Sequence, residues 1–450
     1  MIVLKFGGTS VADAAAIRAS AEIVRSRLAR QPVVVVSALS GTTNALIGIA
    51  EQSAKGHLIG AVRAVEALRT RHLEQADLLL GGDALEVASE MSALFDELAQ
   101  LAEALSVLGD LTPRSRDAIA ALGEQLSALL VVAAYEKLGL PAVHVEARDV
   151  LITDDQFGRA EPQPDAIAAA VRAHVAPLVR AGKVPVMGGF IGATATTRIT
   201  TTLGRGGSDY SASLIGAALQ AEAIEIWTDV DGMLTADPRV VPGARLIEQI
   251  GFEEASELAS FGAKVLHPST IAPAVRVGIP VVVLNTRRPE GSGTLITFDA
   301  PRRAVTAIAG KDKVTLVKVK SPRMLLREGF LRTMFAVFER HRTSVDVVAT
   351  SEVSVSLTID DASRLDAIMG ELRELGDVVI ERDRGIVSIV GAELSRHPGT
   401  MADAIRALDG SGLHMLSLSA TGINLTVVID GDQVHPVMAR LHEIFFPGTG

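Results

Sequence analysis

The chain has 450 residues, a formal net charge of −10, no cysteine and only 3% aromatic residues. The acidic charge and the few rings argue against a nucleic-acid partner, and the absence of cysteine excludes disulfides and thiolate metal sites. The N-terminus lacks a basic leader, and no apolar run approaches about 18 residues without a charge, so the sequence predicts a cytoplasmic protein without a membrane segment.

Short apolar segments alternate with long helical patterns through the first 300 residues. The predicted strands are 2–6, 32–36, 142–145, 184–187, 225–228 and 280–285. The predicted helices are 14–29, 44–50, 58–80, 84–108, 114–138, 164–181, 211–220, 252–261 and 271–277. Continuous apolar strands separated by helices are typical of an α/β fold, in which helices cover both faces of a mostly parallel sheet.

Two glycine clusters have the character of anion-binding turns. Residues 5–10 (KFGGTS) end the first strand, and residues 200–211 (TTTLGRGGSDYS) precede a helix. Glycines let backbone N–H groups approach an anion, and a helix N-terminus favours negative charge. Neither cluster matches the P-loop or the dinucleotide fingerprint. Two cation-bearing turns therefore indicate a nucleotide and a second charged ligand in a different phosphate-handling fold.

Polar and glycine residues follow several of the predicted strands directly. Lys5 and residues 6–8 end the first strand, and Ser37, residues 188–190 and residues 228–229 follow three others. Ligands of parallel α/β sheets bind beyond the carboxyl ends of the strands. We therefore expect these residues to converge on one edge of the sheet.

The pattern changes near residue 300, where a strand and helix pattern repeats with an offset of 70 residues. Residues 345–360 align with residues 415–430. The amphipathic helices that flank the two copies are predicted at 331–340, 362–375, 401–408 and 432–445. The repeat predicts two small βαββαβ modules, and an exposed sheet edge on such a module favours pairing with another copy.

Three segments together resemble the signatures of aspartate kinases, which are members of the amino acid kinase superfamily with a C-terminal pair of ACT domains. They are residues 5–10, residues 201–209 and residues 262–268 (GAKVLHP). The resemblance covers essentially the whole chain and is greatest to the monofunctional, lysine-sensitive type. It implies phosphorylation of L-aspartate by ATP, with Mg²⁺ held mainly by the phosphates, as the first step towards lysine, threonine and methionine.

The same resemblance implies three domains. They are a three-layer αβα catalytic domain at 1–298, an effector-binding ACT domain at 313–384, and a structural ACT domain from 304–312 and 385–450. Pairing of ACT domains implies a homodimer or a larger assembly.

Roles for individual residues also follow from the resemblance. Lys5 is implied to stabilise the transferring phosphoryl group, Gly7 and Gly8 to hold phosphate, and Asp209 to orient the lysine. The residues implied to bind the substrate are Ser37, Thr43, Glu124, Arg205 and Ser208. The residues implied to contact the nucleotide are Lys5, Gly8, Thr228, Asp229, Arg239 and Lys264. No general base is needed, because a carboxylate nucleophile is already ionised, and no protein-built metal site is implied.

The first ACT module is implied to bind an amino acid effector. The implied contacts are Phe330, Ser344, Asp346, Thr350, Ser351 and Glu352. At the aligned positions of the second module, Leu416 and Gly422 stand where the first has Asp346 and Glu352. An ammonium group requires a carboxylate, so we expect the first module to bind the effector, with lysine favoured and threonine as the second candidate.

Two other functions fit the same residues. Glu124 and Arg205 suit the backbone of any α-amino acid, so a kinase for another carboxylate such as glutamate is one alternative. The other is a non-catalytic amino acid sensor on a kinase scaffold. Leu234 stands where the family often has a tyrosine near the nucleotide, which leaves the purine contact open. Trp227 is expected in the core beside the nucleotide.

Overall fold

A computed structural model describes residues 1–261, 268–325 and 327–447. Within these ranges the strands are β1 (Ile2–Phe6), β2 (Pro32–Val36), β3 (Ala142–His144), β4 (Ile152–Thr153), β5 (Val184–Gly188), β6 (Ile191–Thr194), β7 (Thr200–Thr202), β8 (Ala223–Thr228), β9 (Gln249–Gly251), β10 (Val281–Asn285), β11 (Thr294–Thr297), β12 (Ala307–Lys320), β13 (Val348–Thr350), β14 (Ser354–Ile359), β15 (Asp377–Val390), β16 (Met415–Leu418) and β17 (Asn424–Asp430). The α-helices are α1 (Ala14–Ser26), α2 (Thr42–Ala54), α3 (Leu58–Leu80), α4 (Leu85–Leu108), α5 (Pro113–Lys137), α6 (Ala147–Val150), α7 (Pro164–His174), α8 (Ala176–Arg180), α9 (Gly207–Leu219), α10 (Phe252–Ser260), α11 (Pro268–Arg276), α12 (Phe330–Arg340), α13 (Leu365–Leu372), α14 (Pro398–Arg406) and α15 (Val434–Phe445).

These elements form two compact units. The first comprises Met1–Met233 and Leu266–Phe298, and the second comprises Leu234–Val265 and Asp299–Gly450. The segment 234–265 thus belongs to the same unit as the C-terminal repeats, although the resemblance assigns it to a catalytic domain at 1–298. The three domain boundaries stay a prediction.

The first unit is built on a sheet with the strand order β3-β5-β2-β1-β8-β10-β11. Its neighbouring strands are parallel except for β10 and β11. Every residue of β1 and β2 is buried, which requires helices on both faces of the sheet. The α/β fold with a mostly parallel sheet is confirmed, and all six strands predicted for this region are present.

Helix α5 passes through the core of this unit. It is long and apolar enough to span a membrane by length and composition, but 78% of its apolar window is buried inside the structure. Fifteen of its residues are buried, among them Asp117, Glu124 and Tyr135. The composition of α5 is therefore explained by packing within the first unit.

Two predicted helices and a small sheet require correction. The helix expected at 211–220 begins at Gly207, because Gly206 adopts a left-handed φ of 72° and ends the preceding turn. The helix expected at 164–181 is divided into α7 and α8, with a proline in the first turn of α8 that cannot donate a backbone hydrogen bond. Strands β4, β6 and β7 form a three-stranded sheet that the sequence did not predict, since strands of two to four residues show no clear periodicity.

The C-terminal repeats share a six-stranded sheet with the order β13-β14-β12-β15-β17-β16. Strands β12 and β15 are antiparallel, with β14 paired to the second half of β12 and β17 to the second half of β15. Helices α12 and α13 pack on one core of this sheet, and α14 and α15 on another. The two βαββαβ modules are thus joined through their longest strands, β12 and β15, which begin 70 residues apart.

Candidate active site

The carboxyl ends of the parallel strands bring the N-terminal glycines and Ser37 to one edge of the sheet. Phe6 is the partner of Val36 in β2 and of Trp227 in β8. The amide of Gly7 donates to the carbonyl of Trp227 at 3.0 Å, and the amide of Ser37 donates to the carbonyl of Phe6 at 3.0 Å. The edge therefore joins β1, β2 and β8 through backbone hydrogen bonds.

Lys5 forms an ion pair across this edge with Asp209, which lies in the first turn of α9. Lys5 Nζ is 2.7 Å from Asp209 Oδ1, and the two side chains are only 10% and 14% exposed. Such a pair is scarcely screened by water. It holds the ammonium group next to the turn formed by Gly7 and Gly8.

Two glycines at this edge are needed because neighbouring chain segments lie against them. A Cβ atom on Gly8 would be 3.0 Å from the carbonyl oxygen of Ala38, and one on Gly189 would be 2.8 Å from Ser208. A Cβ atom on Gly7 would make only an ordinary contact, 3.5 Å from Lys5 Nζ. The absence of side chains at Gly8 and Gly189 thus keeps Ser208 and the backbone of two loops close together.

Glu124 reaches the same edge from α5. Its residue is 4% exposed, and its Oε2 atom has no hydrogen-bond partner among the residues that the structure describes. Burial raises the pKa of Glu124 to about 8, while the amide of Ala38 and the charge of Lys5 lower it. A buried carboxyl oxygen without a partner favours binding of a cation or a hydrogen-bond donor.

Arg205 lies in the turn between β7 and α9, between two left-handed glycines. Gly204 has a φ of 74° and Gly206 a φ of 72°. Arg205 is exposed, and it forms no ion pair within the described ranges. The guanidinium of Arg205 is therefore available to an anionic group such as a carboxylate. Thr43, which is also predicted to bind the substrate, lies in the first turn of α2 and is half-buried.

The residues predicted to contact the nucleotide are not all in one unit. Thr228 and Asp229 end β8 in the first unit, where Thr228 Oγ1 donates to Asp229 Oδ1 at 3.3 Å. Arg239 is in the second unit and is bound by the carboxylate of Asp237, with Nη2 at 2.6 Å from Oδ2. Lys264 and the rest of residues 262–267 lie outside the described residues.

Trp227 is fully buried, as expected, but its environment is more polar than the sequence suggests. Its indole Nε1 donates to Glu225 Oε2 at 3.2 Å, and the guanidinium of Arg27 lies 5.6 Å from the ring centroid. Glu225 also accepts hydrogen bonds from Arg27 and Arg30. This cluster fixes β8 in the sheet.

The residues predicted to bind the effector do not all lie together in the structure. Phe330 and Glu352 line an open pocket of about 340 Å³ beside α12, together with Arg327 and Arg332. Asp346 does not line this pocket. Ser344, Thr350 and Ser351 are exposed, and Ser351 Oγ is 2.7 Å from Ser354 Oγ.

Asp346 lies instead beside Lys311 and Asp360. Lys311 Nζ is 3.6 Å from Asp346 Oδ2 and also forms an ion pair with Asp360. Burial and the neighbouring Asp360 raise the pKa of Asp346 to about 6, and Lys311 lowers it. No sequence pattern singles out Lys311, because it stands 35 positions before Asp346 and becomes a neighbour only through the sheet.

Asp117 is a second residue that the sequence analysis missed. It is 2% exposed and accepts three hydrogen bonds from Gly158 and Thr202. Burial raises its pKa, and the hydrogen bonds from Gly158 and Thr202 lower it. Its signal in the sequence was the spacing of seven residues from Glu124, which places both carboxyl groups on one side of α5.

Comparisons with known proteins agree with this architecture. The amino acid kinase family matches residues 1–285, and an ACT domain matches residues 387–445. The lysine-sensitive aspartokinase 3 of Escherichia coli is 37% identical over 455 residues, which span 99% of both chains. The chloroplastic aspartokinase 3 of Arabidopsis thaliana is 35% identical over 460 residues, 99% of this chain and 81% of that protein.

The chain is also similar to solved structures of an aspartokinase. The R-state structure of E. coli aspartokinase III in complex with aspartate and ADP matches with a TM-score of 0.86 and 37% identity, and covers 99% of this chain and 100% of that chain. The T-state structure of the same enzyme, in complex with lysine and aspartate, matches with a TM-score of 0.83 and covers 99% of both chains.

Proposed function

Because the chain belongs to the aspartokinases of the amino acid kinase family, we propose that it transfers the γ-phosphoryl group of ATP to the side-chain carboxylate of L-aspartate. The products are ADP and 4-phospho-L-aspartate. The observation that carries this proposal is the edge of the first unit's sheet, where the Lys5–Asp209 pair lies beside glycine turns and the unpartnered Oε2 atom of Glu124. We propose the cytoplasm as its compartment.

Catalysis on this edge requires positioning and charge neutralisation. The aspartate carboxylate has an ordinary pKa near 3.9, so it is ionised at neutral pH and attacks without a general base. Negative charge spreads over the oxygens of the transferring phosphoryl group. Lys5 neutralises this charge and Asp209 holds Lys5 in place. The amide of Gly8 binds a phosphate oxygen, and Gly7, whose own amide is held by the carbonyl of Trp227, lets the phosphate approach the turn.

Substrate selection depends on the two ends of the amino acid. Glu124 receives the α-ammonium group, which supplies the partner that its buried Oε2 lacks. Arg205 holds the α-carboxylate through its planar guanidinium. Ser37, Thr43 and Ser208 add hydrogen bonds from three further segments of the same unit.

ATP enters as its complex with Mg²⁺. Mg²⁺ prefers oxygen ligands and keeps several of its own waters, so phosphate oxygens hold it and the ion neutralises their charge. The described residues contain no group of three or more acidic or histidine side chains that could hold a metal ion. Thr228 and Asp229 contact the nucleotide in this proposal, and the nucleotide contacts of Arg239 and Lys264 stay predictions from the resemblance.

Regulation and assembly are linked in this proposal. Phe330 and Glu352 line one pocket, while Asp346 is elsewhere in the same module. One effector molecule meets all three residues when two chains pair through their first ACT modules (313–384). The proposed assembly is therefore a homodimer or larger, with lysine as effector and the second ACT module (304–312 and 385–450) as a structural element.

The proposal is tested by measuring ADP release in the presence of ATP and Mg²⁺. The acceptor is L-aspartate or L-glutamate, and each is assayed with and without millimolar lysine or threonine. Aspartate-dependent release that lysine suppresses is the expected result. Release with glutamate alone would indicate a kinase for the other carboxylate. Binding of ATP without turnover on either acceptor would indicate an amino acid sensor.

A further inference from the structure

We propose that Asp117 is a positioning residue for the substrate, because it fastens the turn that carries Arg205 to the helix that carries Glu124. The inference rests on the proposed roles of Arg205 and Glu124 at the two ends of the amino acid. It adds to substrate recognition a residue that acts through Arg205 and Glu124 and does not itself contact the ligand.

The hydrogen bonds of Asp117 use both of its oxygens. Oδ1 accepts from the hydroxyl of Thr202 at 2.7 Å. Oδ2 accepts from the amide of Thr202 at 3.1 Å and from the amide of Gly158 at 2.8 Å. With 2% of the residue exposed and both oxygens held by donors of the protein, Asp117 is not open to a ligand itself.

The partners of Asp117 lie on two segments that pack at the turn of Arg205. Thr202 ends β7 and precedes Arg205 by three residues. Gly158 lies on the loop between β4 and α7, and a Cβ atom on Gly204 would be 3.4 Å from the carbonyl oxygen of Gly158. The amide of Ala160 also donates to the carbonyl of Thr202 at 2.9 Å. Asp117 thus holds both segments against α5.

The same helix carries Glu124 seven residues later. Seven residues are about two turns of an α-helix, or roughly 10 Å along its axis. The ammonium and carboxylate of an α-amino acid are bonded to one carbon, so Glu124 and Arg205 must keep a fixed separation to bind both. Arg205 is exposed and forms no ion pair in the part of the chain that the structure describes. The anchored backbone of its turn is therefore what sets that separation.

Two substitutions of graded severity test the proposal. Asp117→Asn places an NH₂ group opposite the N–H donors of the turn, and Thr202→Val removes one hydroxyl while it keeps the shape of the side chain. Loss of hydrogen bonds to a charged group corresponds to a rise of about 10–100-fold in KM for L-aspartate. We expect kcat at saturating aspartate and KM for ATP to change by less than about threefold. Thr200→Val, on the same strand but outside the contacts of Asp117, is the control.

A double-mutant cycle separates a positioning role from a merely structural one. Asp117→Asn should add little to the KM of an Arg205→Ala variant, because it acts through Arg205. The proposal would be overturned if Asp117→Asn and Thr202→Val lowered kcat and raised the KM values for aspartate and ATP to a similar extent. An unchanged KM for aspartate would also overturn it. If Arg205→Ala itself has the wild-type KM, the proposed role of Arg205 fails, and this result is distinct from a normal KM in the Asp117 variants alone.

Discussion

Lys5 Nζ lies 2.7 Å from Asp209 Oδ1, and neither side chain is more than 14% exposed. The lysine is supplied by the end of β1 and the carboxylate by the first turn of α9, so two segments about 200 residues apart meet at one point. This ion pair is the centre of the proposed phosphoryl-transfer site.

Lys5→Ala should lower kcat by roughly 10²–10³, because it removes a fixed charge from the place where negative charge develops. Lys183→Ala, which removes an exposed lysine of the same unit, is the matched control. The measurement is steady-state ADP release at saturating ATP and L-aspartate, with circular dichroism to verify the fold. A loss of less than about fivefold in a folded variant would remove Lys5 from catalysis.

The KM for L-aspartate should depend on pH through Glu124. Its pKa of about 8 means that the carboxyl is mostly protonated in the free site at neutral pH, whereas the ammonium of the substrate requires the ionised form. The KM should therefore fall by about tenfold per pH unit between pH 6 and 8 and become constant above pH 8. In Glu124→Gln the KM should be higher and should lose this dependence. A flat profile in the wild type would contradict the assignment.

Inhibition by lysine should weaken at acid pH through Asp346. The pKa of this carboxyl is raised to about 6, so it is charged above pH 6 and protonated below, and only the charged form attracts an ammonium group. The lysine concentration for half-inhibition should rise as pH falls from 7.5 to 5.5. Asp346→Asn should show weaker inhibition without this trend, while activity without lysine persists. Undiminished inhibition in Asp346→Asn would exclude Asp346 from the effector site.

Glu225 makes the clearest prediction on stability. It is 3% exposed and accepts hydrogen bonds from Arg27, Arg30 and Trp227. Glu225→Gln should lower the free energy of unfolding by about 2 kcal/mol, since the buried Trp227 and two partly exposed arginines lose a buried charged acceptor. Glu222→Gln, at an exposed residue paired with the N-terminus, should leave the urea midpoint nearly unchanged. Equal midpoints for the two variants would show that the Glu225 cluster contributes nothing.

Much of the fold could be predicted, because buried parallel strands and long helices have strong local patterns. The strand that carries Lys5 and the strand that ends just before Ser37 were predicted with their observed bounds. Strands β4, β6 and β7 were not predicted, since each has four residues or fewer and their pairing comes from tertiary contacts. The early start of α9 followed from the conformation of Gly206, which the sequence permits but does not dictate.

The site was predictable to a smaller extent. Lys5 and Asp209 belong to glycine-rich motifs and were found by their sequence context. Asp117 has no motif around it, and its importance follows from hydrogen bonds to Gly158 and Thr202 on distant segments. The neighbourhood of Asp346 likewise depends on sheet register, which brings Lys311 beside it.

The most direct test of the central claim is to trap the product with hydroxylamine, which converts an acyl phosphate into a hydroxamate. With ATP, Mg²⁺ and L-aspartate, the account predicts one aspartyl hydroxamate for each ADP released, and suppression of both by lysine. Release of ADP without hydroxamate, or hydroxamate formed from L-glutamate and not from L-aspartate, would contradict it.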